Sequence, residues 1–140
     1  MGAINDGMIA VELWWLGLMA IIMAVTVLPY VLNRIVVCGL WGALDNPKPE
    51  LPPLSPWAER MKAAHYNTVE NLVVFGPLAV AVVVAGVTDE MTALASMAFV
   101  IARLVYIVVY TLGIPVLRTL AFLVGWLSSL ALALRLLALI

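Results

Sequence analysis

Four apolar stretches, each long enough to cross a bilayer, run through this chain between a proline-rich segment and two short turns, and they leave it few ways to fold. A helix needs about 20 apolar residues to cross a hydrocarbon core roughly 30 Å thick. With 66% hydrophobic and 11% charged residues among 140, there are too few charges to coat a water-soluble globule; an ordinary soluble domain carries about 25%. Disorder is excluded by the same numbers, because it needs few apolar residues and many charges. Length excludes a multidomain enzyme. The expected fold class is an all-α integral membrane protein, a single domain built as a four-transmembrane-helix bundle.

The spans are expected at about 8–40, 56–87, 91–112 and 116–139. Pro29 falls near the middle of the first, and Asn33 and Arg34 place its second half toward a polar region. Between about 45 and 56 stand Pro47, Pro49, Pro52, Pro53 and Pro56, which read as a stiff extended loop rather than helix interior. Ser55 is expected to cap the second helix, with Pro56 in its first turn. The purely apolar part of that helix, Leu72 to Val87, covers only about 24 Å at 1.5 Å rise. Asn67, Glu70 and Asn71 are therefore drawn toward the membrane, where polar groups usually face protein or a wet cavity.

Charge sets the expected orientation. Arg34, Lys48, Arg60 and Lys62 flank the long loop and Arg118 follows span three, whereas Arg135, Asp6, Glu12, Asp89 and Glu90 lie on the other side. The positive-inside rule puts the basic connections in the cytoplasm and both termini outside. The N-terminus lacks a basic n-region and a small-residue cleavage site, so the first span is expected to stay in the mature protein. Cys38, the only cysteine, reads as a small buried hydrophobe. No basic patch suits nucleic acid, and one histidine cannot build a metal site.

Two constellations carry possible chemistry. On the second helix Arg60, Asn67 and Asn71 fall within about 40° of one another and Glu70 about 60° from Asn67, with His65 on nearly the opposite face. This cluster is either a solvated helix entrance or part of a binding site. On the third, Arg103, Tyr106 and Tyr110 share one face. Arg103 lies near the bilayer middle, where an unpaired charge costs several kcal/mol. Glu70 or an anionic ligand is expected to offset it. Several cations with one acid and amide groups suit a small zwitterion with more than one carboxylate. No Ser/His or Cys/His nucleophile is visible, so any nucleophile arrives with the ligand.

His65-x-Asn67-x-x-Glu70-Asn71 with Phe75 resembles the signature of the MAPEG proteins (membrane-associated proteins in eicosanoid and glutathione metabolism), closest to the microsomal glutathione transferase branch. Phe99-Val100-x-Ala102-Arg103 with Tyr110, the Gly-x-Pro turn before Arg118, and Ala133-x-Arg135-Leu136-Leu137 are similar to that family too. The resemblance implies a homotrimer of four-helix bundles in the bacterial cytoplasmic membrane or the endoplasmic reticulum. It implies glutathione as co-substrate, bound between protomers and open to the cytoplasm, and a lipophilic electrophile or hydroperoxide from the membrane lipids as partner.

By the same resemblance Asn67 and Glu70 hold the peptide, Arg118 stabilises the thiolate, and Arg103 and Tyr110 assist. An intersubunit site brings in His65 from the opposite helix face. Tyr106 joins through its place on the Arg103 stripe, and Arg34 through its position at the end of span one. The transferases carry an arginine directly before the Ala-His pair, where this chain has Ala63; Arg60, one turn earlier, is expected to compensate in part. Two other readings compete: a protein of this fold binding a lipid or another anionic metabolite without glutathione chemistry, and a four-span exporter with Glu12 as its coupling carboxylate.

Overall fold

The computed structural model describes residues 9–140; Asp6 and the expected start of span one at Met8 lie outside them. Helix α1 spans Val11–Leu44, α2 Pro56–Val84, α3 Glu90–Leu112 and α4 Pro115–Leu136. All four are long and apolar enough to cross a membrane, and no strand is present among the described residues. Every connection is punctuated by residues that stop helices. Gly113 takes a left-handed φ of 81° at the end of α3, and Pro115 opens α4 two residues later. α1 runs past the expected end of span one, to Leu44, by kinking at Gly39 (φ 73°).

That loop is fastened by side chains rather than by a conventional cap. Ser55 occupies the N-cap position of α2 but its hydroxyl caps no backbone amide. It accepts from Asn33 Nδ2 at 2.9 Å instead, while the Ser55 N–H donates to Asn33 Oδ1 at 2.9 Å. The reciprocal pair satisfies the buried Asn33 amide, and this overrides the expected cap. Arg34 adds a bond to the Pro52 carbonyl at 2.7 Å, and Glu59 accepts from the Leu54 N–H at 3.1 Å. Cys38 is half-buried, its sulfur 3.5 Å from Arg34 Nη1, so it is less enclosed than an apolar core position.

α2 and α3 form the central pair, with α1 and α4 on opposite flanks and no contact between those two among the described residues. Phe75 and Phe99 stack at 3.8 Å between ring centres where α2 meets α3, and Met19, Met23, Val82 and Leu132 surround them. α3 is the most enclosed helix, and the site is built from it. At its start Asp89 and Thr92 form a capping box: the Thr92 N–H donates to Asp89 Oδ1 and the Asp89 N–H to Thr92 Oγ1.

The bond from the Thr92 N–H, helped by the Arg135 guanidinium, holds the Asp89 carboxyl below the usual carboxylate range. A group depressed in the folded state adds stability above its unfolded pKa of about 3.9, and that stability is lost as pH falls through the lowered value. Thermal melting of the detergent-solubilised protein should therefore weaken below about pH 4. Asp89→Asn should flatten that acid limb; an unchanged limb would show that the acid sensitivity resides elsewhere.

Candidate functional site

Arg103 sits at the centre of the bundle with 0% exposure. Its Nη1 donates to Asn67 Oδ1 at 3.2 Å and its Nη2 to Asn71 Oδ1 at 2.8 Å, with a longer contact to the Phe122 carbonyl at 3.5 Å. The rings of Phe99, Tyr106 and Phe122 lie 5.5, 5.4 and 5.1 Å from its guanidinium carbon, within cation–π range. Nε has no hydrogen-bond partner and faces Gly125, where a Cβ would come within 2.8 Å of it.

The expected Arg103–Glu70 pair does not form. Glu70 is on the exposed side of α2, and among the described residues no carboxylate pairs with Arg103. Two amide oxygens and three aromatic faces take the place of a counter-ion. Asn71 fits because it lies one turn from Asn67 on the same helix face, and its Nδ2 is itself fixed by the Asn67 carbonyl at 2.8 Å.

Beside this buried cation opens a cleft of about 240 Å³ lined by Tyr106, Tyr110, Arg118, Thr119 and Phe122. The tight turn through Gly113 folds the first turn of α4 back against α3, which places the Arg118 guanidinium 4.7 Å over the Tyr110 ring. Tyr110 meets Tyr106 edge-on at 5.5 Å. Arg118 is half-buried and has no ion pair among the described residues. A half-buried guanidinium in a cleft with a second cation behind its wall is an arrangement that attracts anions. Thr119 and Phe122 went unnoticed in the sequence because neither bears charge; Phe122 is one helical turn beyond Arg118, which is the available signal.

The remaining candidates lie elsewhere. Arg60 donates from Nε to the Thr111 carbonyl at 2.9 Å and rests over Gly113, so it serves as a cation at the α3 C-terminus. Arg34 is tied to the loop through Pro52. His65 shares a 3.0 Å hydrogen bond between Nδ1 and Tyr30 Oη on the α1 side of α2. Within one chain, then, Asn67, Arg103, Tyr106, Tyr110 and Arg118 come together, Glu70 stays exposed but near enough to Tyr106 to act on it through space, and Arg34, Arg60 and His65 make their contacts elsewhere.

Glu12, the carboxylate of the exporter reading, is 3% exposed and accepts from Thr92 Oγ1 at 2.5 Å. Thr92 belongs to the capping box of α3, so this carboxylate ties α1 to the positive end of α3. Glu12→Ala should destabilise the protein by about 1.5–3 kcal/mol, as expected for a lost hydrogen bond to a charged group. Unfolding of the detergent-solubilised protein measures it, and a change below about 0.5 kcal/mol would remove Glu12 from the fold's account.

Neither the curated proteins nor the solved structures compared with this chain include a match. The family model of the MAPEG family matches residues 10–138, which takes in all four helices and every residue of the cleft. A multi-pass bundle with this match over nearly its whole length belongs to the MAPEG family.

Proposed function

We propose that the protein is a glutathione-dependent membrane transferase or peroxidase of the microsomal glutathione transferase type. The reading rests on one observation above the others: Arg118, half-buried and without an ion pair among the described residues, faces a cleft that is walled by Tyr106 and Tyr110 and backed by Arg103. Glutathione supplies a thiolate whose sulfur bonds to an electrophilic carbon and displaces its leaving group, or attacks a hydroperoxide, breaking the O–O bond to release the alcohol and leave a sulfenic acid that a second glutathione converts to the disulfide and water. The chain's own part is electrostatic. Arg118 stabilises negative charge on sulfur, and the Tyr110 ring holds the guanidinium in place.

A homotrimer belongs to the same proposal. The cleft of about 240 Å³ in one chain falls below the roughly 300–1,000 Å³ of ordinary small-molecule sites. Glu70 is exposed between the exposed apolar residues Val69, Val73 and Val74, a costly neighbour for lipid. A second copy packed on this face would enclose Glu70 and complete the cleft, with His65 and Arg34 reaching it from the neighbour. The cleft and its cations then open to the cytoplasm, and both termini lie on the other side.

Ala63 with Arg60 fixed on Thr111 favours a second reading, a protein of this fold that binds a lipid or another anionic metabolite. Calorimetry with millimolar glutathione, followed by conjugation assays with a lipophilic electrophile, separates the two. Saturable binding and turnover support the transferase; absence of both, with lipid co-purified in the cleft, supports the alternative.

A further inference from the structure

We propose that Asn71 and Gly125 are positioning residues of the site, holding Arg103 as a buried cation without a carboxylate partner so that its charge stays available to an anion in the Tyr106–Arg118 cleft. The identity of that anion rests on the glutathione reading above; the positioning rests on geometry. Arg103 is not part of the cleft lining, whereas Tyr106 and Phe122 are, and the same two rings lie 5.4 and 5.1 Å from its guanidinium carbon. The cation stands about one ring's thickness behind the cleft wall. Charges separated by a low-dielectric wall interact far more strongly than in water. A carboxylate in place of Asn71 would cancel most of that field, while the amide oxygen accepts the same hydrogen bond and carries no net charge.

Gly125 fixes the other coordinate. A Cβ there would lie 2.8 Å from Arg103 Nε and 3.0 Å from Nη2. The guanidinium has little room to retreat, because Phe99, Tyr106 and Phe122 surround it and Asn67 and Asn71 grip its far nitrogens. Nη2 is the atom that Asn71 holds at 2.8 Å. A methyl at position 125 and the bond to Asn71 therefore compete for one nitrogen.

The test is a cycle of Gly125→Ala and Arg103→Lys, read as the pH profile of thiolate absorbance for bound glutathione. Gly125→Ala alone should move the profile alkaline by about one unit, which from a pKa near 6.5 is about a threefold loss of thiolate at pH 7. In the Arg103→Lys protein the same substitution should change the profile less than about twofold, because a lysine has no forked nitrogens at that spot. Asn71→Leu, which leaves Gly125 intact, should also move the profile alkaline, and covers the case in which Gly125→Ala does not fold. Equal effects of Gly125→Ala in both proteins, or an unmoved profile in Gly125→Ala and Asn71→Leu, would overturn the proposal. If the unmodified protein forms no thiolate, the glutathione reading fails by itself. The positioning claim is then decided by melting temperature, which Gly125→Ala should lower in the parent and leave nearly unchanged in the Arg103→Lys protein; additive losses would refute it.

Discussion

Replacing both amides that hold Arg103, as Asn67→Leu with Asn71→Leu, is expected to destabilise the bundle by about 3–5 kcal/mol, the usual size when a buried charge loses its partners. The guanidinium would keep only the 3.5 Å contact to the Phe122 carbonyl and its aromatic neighbours. Adding Arg103→Met should recover most of that loss, since an apolar replacement of a buried ionic group is often neutral or better. Denaturant or thermal unfolding in detergent measures both steps. A triple variant no more stable than the double would mean that the amides matter for something other than solvating the cation.

The second large effect is on chemistry. Lowering a thiol pKa from about 8.5 to about 6.5 requires about 2.7 kcal/mol of thiolate stabilisation. Arg118 is assigned most of that, so Arg118→Ala should return the bound thiol to near its free pKa and cut the thiolate fraction at pH 7 about 25-fold. Tyr110→Leu removes the ring beneath the guanidinium, a cation–π contact of about 0.5–1 kcal/mol. Its effect should be only a few-fold. Comparable losses in the two variants would show that the aromatic ring contributes more than the support assigned to it.

The four helices were legible because hydropathy over about 20 residues and clusters of proline are properties of the sequence alone. The stripe of Arg103, Tyr106 and Tyr110 was legible for a similar reason, since spacing fixes which residues share a helix face. The rotation of one helix against another is not fixed that way. Glu70 and Asn71 are adjacent in sequence and lie on faces about 100° apart, and only the packing of α2 on α3 turns Asn71 rather than Glu70 toward Arg103. Charge alone suggested Glu70 or an anionic ligand, and within one chain an amide stands where Glu70 was expected.

Gly125 was beyond reach for a different reason. A small residue announces itself only through what a neighbouring helix inserts beside it, and here that is a guanidinium. Ser55 likewise carried a sound local signal for a helix cap, overridden when Asn33 of α1 arrived with both a donor and an acceptor. Arg60 lay on the same helix face as Asn67, yet its length lets it reach the Thr111 carbonyl at the end of α3. Long side chains and tertiary partners decide such cases, and neither is written in helical spacing.

On this mechanism the cleft between Tyr110 and Arg118 binds glutathione and lowers the pKa of its thiol. Titrating purified protein with glutathione while following thiolate absorbance tests binding and activation together. The expected result is a saturable signal at neutral pH that rises with an apparent pKa near 6.5, about two units below the free thiol, and that Arg118→Ala abolishes. A thiolate signal that follows free glutathione in solution, with no saturation and no dependence on Arg118, would contradict it.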